Sequence, residues 1–275
     1  RLTDVTGVQT CALPIFTNLY STKSVNGSGL FVNNYNYTTL PMPVTVLGAV
    51  LSGNKSSGGY IGSLGTITLA GITAQENESY GMFLDNQWSG STSSIVISSS
   101  LGLNRFNGNK GIAGFSASTY GNVSLSSVQA NGNTGGGVRV GGYGLHSNIS
   151  LLNLEASGNL GAAFPGLNIF TSGNVVLNKV TALNNGGEGI SIDNNHSSYS
   201  LLVTINSSTA SGNGKEGFKV LSLGAITLSG VTASGNALDG ANLVNSYASP
   251  LAKGITVSRS TFDLNQSVGL RIDTL

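Results

Sequence analysis

An asparagine followed four residues later by a glycine recurs along almost the whole chain. The pairs are Asn54/Gly58, Asn77/Gly81, Asn107/Gly111, Asn133/Gly137, Asn185/Gly189, Asn213/Gly217, Asn236/Gly240 and Asn265/Gly269, with Asn159/Ala163 as a degenerate member. Successive asparagines stand 23, 30, 26, 26, 26, 28, 23 and 29 residues apart. A period of this size marks a stack of one supersecondary unit, because a single repeat of that length cannot bury its own apolar face.

Apolar residues keep register with the asparagines. At ten, eight, five and three residues before Asn236 stand Ile226, Leu228, Val231 and Ala233, and the same slots before Asn77 hold Ile67, Leu69, Ile72 and Ala74. Beyond each glycine two more apolar residues flank a polar one, as in Met82 and Leu84 or Ile190 and Ile192. Period-2 alternation in short runs broken by Gly, Ser and Asn predicts strands that turn alternate side chains to one core. No segment carries apolar residues at helical spacing. The fold expected is therefore all-β, a parallel β-helix of about ten coils with about three short strands in each. Asn54, Asn77, Asn107, Asn133, Asn159, Asn185, Asn213, Asn236 and Asn265 are expected to form an internal ladder, coil to coil. The glycine after each is expected to supply a backbone conformation that other residues avoid.

The repeat ITLSGVTASGNALDGANLVN, at 226–245, resembles those of the pectin-lyase-like superfamily of parallel β-helices. The resemblance spans roughly residues 17–275 and implies a right-handed coil in a secreted or cell-surface protein of bacterial type. Charged residues are only 8% of the chain, against roughly a quarter in ordinary soluble domains, and 40 glycines serve its many bends. A net charge of +1 gives no electrostatic reason to expect nucleic acid as a partner. The most apolar run, 40–51, is broken by Pro41 and Pro43 and is shorter than the roughly 18 residues of a membrane span. Residues 5–15, VTGVQTCALPI, lie outside the repeat, hold the lone Cys11 and resemble the translation of a sequencing adapter. Residues 1–16 are accordingly expected to be a non-native leader, and 17–275 a β-helix that is a fragment of a longer repeat protein.

The resemblance also brings an expectation of acidic polysaccharide cleavage, by aspartates clustered with Lys, Arg or His. The chain has 11 acidic residues, mostly isolated. Glu188, Glu216 and Asp239 each directly precede the glycine of three successive repeats, so they should stack about 4.8 Å apart. Such a column suits a hard cation such as Ca²⁺, or simply a solvated turn. The outward slot two residues beyond the glycine holds Arg139, Lys219 and Arg271, with neutral residues between. Columns of Thr and Ser, including Thr45, Thr68, Thr204, Thr227 and Thr256, raise ice binding as a third reading beside adhesion and enzymatic cleavage. The leading site is a row of insertions expected along one corner: 87–94, 116–121, 141–147, 195–201 and 246–253. They carry Trp88, Tyr120, Tyr143, Tyr199 and Tyr247, with His146 and His196. Rigid aromatic rings there suit stacking on sugars, or else fold back over the open corner. The function expected is a structural or adhesive rod that presents this corner to glycans. The runner-up is a polysaccharide lyase or glycoside hydrolase with catalytic coils partly outside this fragment.

Overall fold

A computed structural model describes residues 14–35, 41–87, 91–195, 201–245 and 254–274. Among them every regular element is a strand, gathered into one sheet of 12 strands and one of 10. All pairings are parallel, each joining a residue to its counterpart in the next repeat, as in Ile67↔Ile95 and Leu69↔Ile97. The chain is a parallel β-solenoid. Among the described residues no helix is long and apolar enough to cross a membrane.

The alternation in the sequence builds the core directly. Ile67, Leu69, Ile72 and Ala74 are fully buried, as are Ile226, Leu228 and Ala233. Each large aliphatic side chain so buried is worth roughly 1.5–3 kcal/mol. The expected three strands per coil resolve into two sheets, because the first two segments of many coils run on as one bent strand. Val123–Gln129 pairs with Ile149–Glu155 on both sides of the bend, at Leu125↔Leu151 and again at Val128↔Leu154. A single left-handed residue makes the bend: Gly48 (φ 65), Gly71 (φ 65), Ser127 (φ 52), Asn153 (φ 54) or Lys179 (φ 55). That residue explains why the inward positions jump by three residues there, as from Leu125 to Val128, rather than by two.

The second bend holds the asparagines, each preceded by another left-handed residue such as Gly53, Gly132, Gly158, Gly212 or Gly235. Asn185 shows the full pattern. Its Oδ1 accepts from the backbone N–H (3.1 Å) and the Nδ2 (2.9 Å) of Asn159. Its Nδ2 donates to Ala156 O (2.9 Å) and to Asn213 Oδ1 (3.0 Å). The ladder runs Asn54, Asn77, Asn109, Asn133, Asn159, Asn185, Asn213, Asn236, Asn265. Asn107 is not on it. The left-handed Gly108 turns Asn109 inward, and Asn107, two residues earlier, lies outside and donates to Gln129 Oε1 at 3.0 Å. The later glycine has a different task from the one expected. A Cβ on Gly217 would meet Ala210 O at 2.6 Å, Gly240 O at 2.6 Å and Asn236 Nδ2 at 2.7 Å, and its φ is not left-handed. Close approach, not conformational freedom, demands glycine there.

The third corner, where the 10-stranded sheet ends, alternates from coil to coil. After Asn34, Asn86, Gly142, Asn194 and Asn245 comes a long connection, an excursion of six to nine residues before the next strand. After Ser63, Thr119, Thr171 and Ser222 it turns tightly through x-Gly. Each kind of corner is sealed by the other. Thr119 Oγ1 donates to Ser93 O of the preceding excursion at 2.8 Å, and Asn86 Nδ2 donates to Gly65 O of the preceding tight turn at 3.1 Å. Thr171 with Ser147 O (2.6 Å) and Asn245 with Gly224 O (2.9 Å) repeat the exchange. Asn194 occupies the same slot, but neither polar atom of its buried amide has a partner among the described residues. At the other end of the stack, Ile15 and Phe16 of the expected leader pair with Thr45 and Val46, while residues 1–13 lie outside the described residues.

Candidate functional site

The aromatic corner is the alternating one. Trp88, Tyr199, Tyr247 and His196 lie outside the described residues. Tyr120 and Tyr143 follow adjacent strands, Ala113–Thr119 and Gly136–Gly142, so they stand on consecutive coils. The expected insertion at 116–121 is instead the end of a strand and a tight turn, because Thr119 Oγ1 accepts from Gly121 N–H at 2.9 Å and closes it. The excursion 143–148 is tied at several points. Tyr143 N–H donates to Thr119 O (2.8 Å), and Ser147 Oγ accepts from Gly144 N–H (2.9 Å) while donating to Tyr120 O (2.9 Å).

The Tyr143 ring lies across Gly141, where any Cβ would run into it, and packs at 5.4 Å and 35° on Phe170 of the next coil. Tyr120 and Tyr143 are 38% and 39% exposed, so neither is closed into the core. Beside them Leu145 is 78% exposed, and His146 adopts φ 90, whereas the other left-handed non-glycines fall between 47 and 57. A non-glycine at that φ is held there by its surroundings, here including a bond from its N–H to Ser172 O at 3.2 Å. The corner is thus tied by hydrogen bonds, neutral at Tyr120, Tyr143 and Phe170, and built by three successive coils.

The acidic column does stack along the backbone: Gly189 N–H donates to Glu216 O and Gly217 N–H to Asp239 O. The Glu188 and Asp239 side chains turn to cations. Lys215 and Lys219 Nζ lie 3.3 and 3.9 Å from Glu188 Oε1, and Arg271 Nε donates to Asp239 Oδ2 at 2.6 Å. The Arg271 bond, helped by donors from Ser267 and Val268, holds the Asp239 carboxyl down at about 2. Among the described residues no group of three or more His, Cys, Asp or Glu side chains gathers as a metal set.

Two further features bear on the enzyme and ice readings. A depression of about 290 Å³ on the 12-stranded sheet includes Gln129, Glu155 and Lys179 in its lining. Glu155 is the only acid lining it, and its oxygens accept from Gln129 Nε2 (3.0 Å) and Asn131 Nδ2 (2.8 Å). Paired-carboxylate hydrolysis needs a second acid roughly 5–9.5 Å away, which this lining lacks. The Thr column is interrupted where Val96 and Val176 fall in register with Thr68 and Thr204. Leu47 and Leu152 interrupt the row beside it.

Sequence reading missed an outward aromatic stack on the 10-stranded sheet. Phe31 and Tyr60 stack at 5.1 Å and 18°, Tyr60 meets Phe83 at 5.5 Å and 58°, and Tyr80 stacks on Phe83 at 5.3 Å and 20°. Burial first, then Tyr35 and Asp85, pushes the Tyr60 phenol well above its ordinary value. Rings stacked on one another spend their faces on cohesion between coils. The signal was present, since Phe31, Tyr60 and Phe83 occupy the slot two residues beyond Gly29, Gly58 and Gly81. No family model, no curated protein and no solved structure matches the chain.

Proposed function

We propose that the chain forms a secreted or cell-surface rod that binds neutral glycans at the Tyr120–Tyr143 corner. In this reading the solenoid is a right-handed β-helix of about ten coils, akin to the pectin-lyase-like superfamily. The observation that carries it is the Tyr143 ring seated against Gly141, with part of its surface left in solvent. Tyr120 and Phe170 stand on the coils before and after that of Tyr143, each step rising about 4.8 Å, close to one sugar unit of an extended chain. Each ring is worth roughly 0.5–1.5 kcal/mol, so useful affinity needs several sugars bound together. With no charge among these rings, binding is insensitive to salt.

The test is a glycan array followed by titration of any hit. Tyr120→Ala/Tyr143→Ala should abolish binding while the melting temperature holds. Gly141→Ala should weaken binding by lifting the ring without removing it. If no neutral glycan binds, or if binding and stability fall together in these variants, the rings are packing and the reading fails.

A further inference from the structure

The turn from ladder asparagine to glycine is four residues long in most coils, but five at Asn109–Gly114 and seven at Asn159–Gly166. These two longer turns flank the coil of Asn133, whose own turn keeps the ordinary length. They raise Ile112 on one side and Phe164 on the other, 41% and 38% exposed. Gly135 and Gly136 let the walls close in: Gly136 N–H donates to Ile112 O at 2.9 Å, and a Cβ on Gly136 would meet Pro165 O at 2.6 Å. The result is a notch of about 250 Å³ with Arg139 and Asn168 in its lining.

Arg139 is exposed and, like Lys23, Lys55, Arg105, Lys179 and Arg259, makes no ion pair among the described residues. Its strand neighbours, Ser116 and Asn168, are neutral. Its charge is felt at Tyr80, where burial raises the phenol and Arg139 pulls it back down. An uncompensated guanidinium offers parallel N–H donors matched to a carboxylate, and the apolar walls beside it suit an apolar body.

We propose that this notch, two residues along the strands from Gly141 and Phe170, is a binding site of its own for a small carboxylate carried on an apolar ring or chain. The carboxylate pairs with the Arg139 guanidinium, the Asn168 amide adds a donor, and the body lies between Ile112 and Phe164.

Phenylacetate, with phenylacetamide as its neutral counterpart, is the probe for saturation-transfer and ¹H–¹⁵N chemical-shift titrations on the whole chain. Phenylacetate should bind saturably, shifting the amides around Arg139. Affinity should fall at least tenfold, about 1.4 kcal/mol, for phenylacetamide and for Arg139→Gln. Phe164→Ala should also weaken it, whereas Lys179→Gln and Tyr143→Ala should not. The proposal is overturned if the amide binds as well as the acid, if Arg139→Gln retains affinity at an unchanged melting temperature, or if no saturable binding occurs. It is equally overturned if acetate matches phenylacetate and Phe164→Ala has no effect, for the notch would then hold only a bare anion.

Discussion

Replacing Asn109 with alanine should damage the stack far more than the same change two residues earlier at Asn107. The Asn109 Oδ1 accepts from Asn77 N–H (3.0 Å) and Asn77 Nδ2 (2.9 Å). Its Nδ2 donates to Ala74 O (3.1 Å) and Asn133 Oδ1 (3.2 Å), and the residue is fully buried. Truncation leaves partners with unequal losses. Asn77 Nδ2 keeps Leu51 O and Asn133 Oδ1 keeps Asn109 N–H, so the uncompensated groups are Asn77 N–H and Ala74 O. At roughly 1–3 kcal/mol for each buried orphan, with some relief from relaxation, Asn109→Ala should cost about 2–4 kcal/mol. Asn107 is half-buried, and water can replace its bonds to Gln129 and Asn131, so Asn107→Ala should cost about 0–1 kcal/mol. Urea midpoints and slopes should be read with amide exchange, since a solenoid need not unfold in one step. Asn109→Ala should deprotect the Asn77 amide. Equal losses in the two variants, or Asn109→Ala costing under about 1 kcal/mol with Asn77 still protected, would refute the ladder assignment.

The two kinds of glycine should separate cleanly. Gly217→Ala forces a methyl against backbone oxygens at 2.6 Å and should cost several kcal/mol, whereas Gly132→Ala, at φ 63 with nothing within 4 Å, should cost only the left-handed penalty of about 1–2 kcal/mol. Thermal melts of the two single variants decide this, and equal costs would sink the close-approach argument. Acid should weaken the far end of the stack through Asp239, whose folded carboxyl is lowered from 3.8 to about 2 by Arg271. A lowered carboxyl stabilises above its ordinary value, so that contribution is lost as pH falls from about 4 to 2. Arg271→Gln should flatten the loss in that window; an unchanged acid profile counts against the pairing.

Much of the fold was legible because its physics is periodic. Residues such as Leu69, Leu125, Leu177 and Leu228 mark the core, since a period-2 pattern in register with a bend can bury only one face. Two local choices misled the reading. The Asn-to-Gly spacing selected Asn107, whereas the Gly108–Asn109 doublet was the better guide, because a left-handed residue must precede the inward asparagine. The same spacing concealed the longer turns at Asn109 and Asn159 that form the Arg139 notch. Three strands per coil were expected because a bend through Ser127 or Lys179 looks like a break, although hydrogen bonds continue on either side of it. At the candidate site, Tyr120 and Tyr143 could be placed at one corner from sequence. Which glycine lies beneath Tyr143, and whether acids meet cations or one another, depends on side-chain direction across coils, which no linear spacing encodes.

The alternating corner also sets the unit in which a chain of this kind can lengthen or shorten. A hydroxyl such as Thr119 donates to the excursion behind it, and an amide such as Asn86 joins the tight turn behind it to its own excursion at Ser93 O. Losing a single coil would set two corners of one kind side by side, each offering donors to a neighbour shaped for the other. Gain or loss of two coils together keeps the two kinds of corner alternating. Tandem duplication in this lineage should therefore proceed in two-coil cassettes, and recombinant rods of altered length should fold only when cut and joined at that interval.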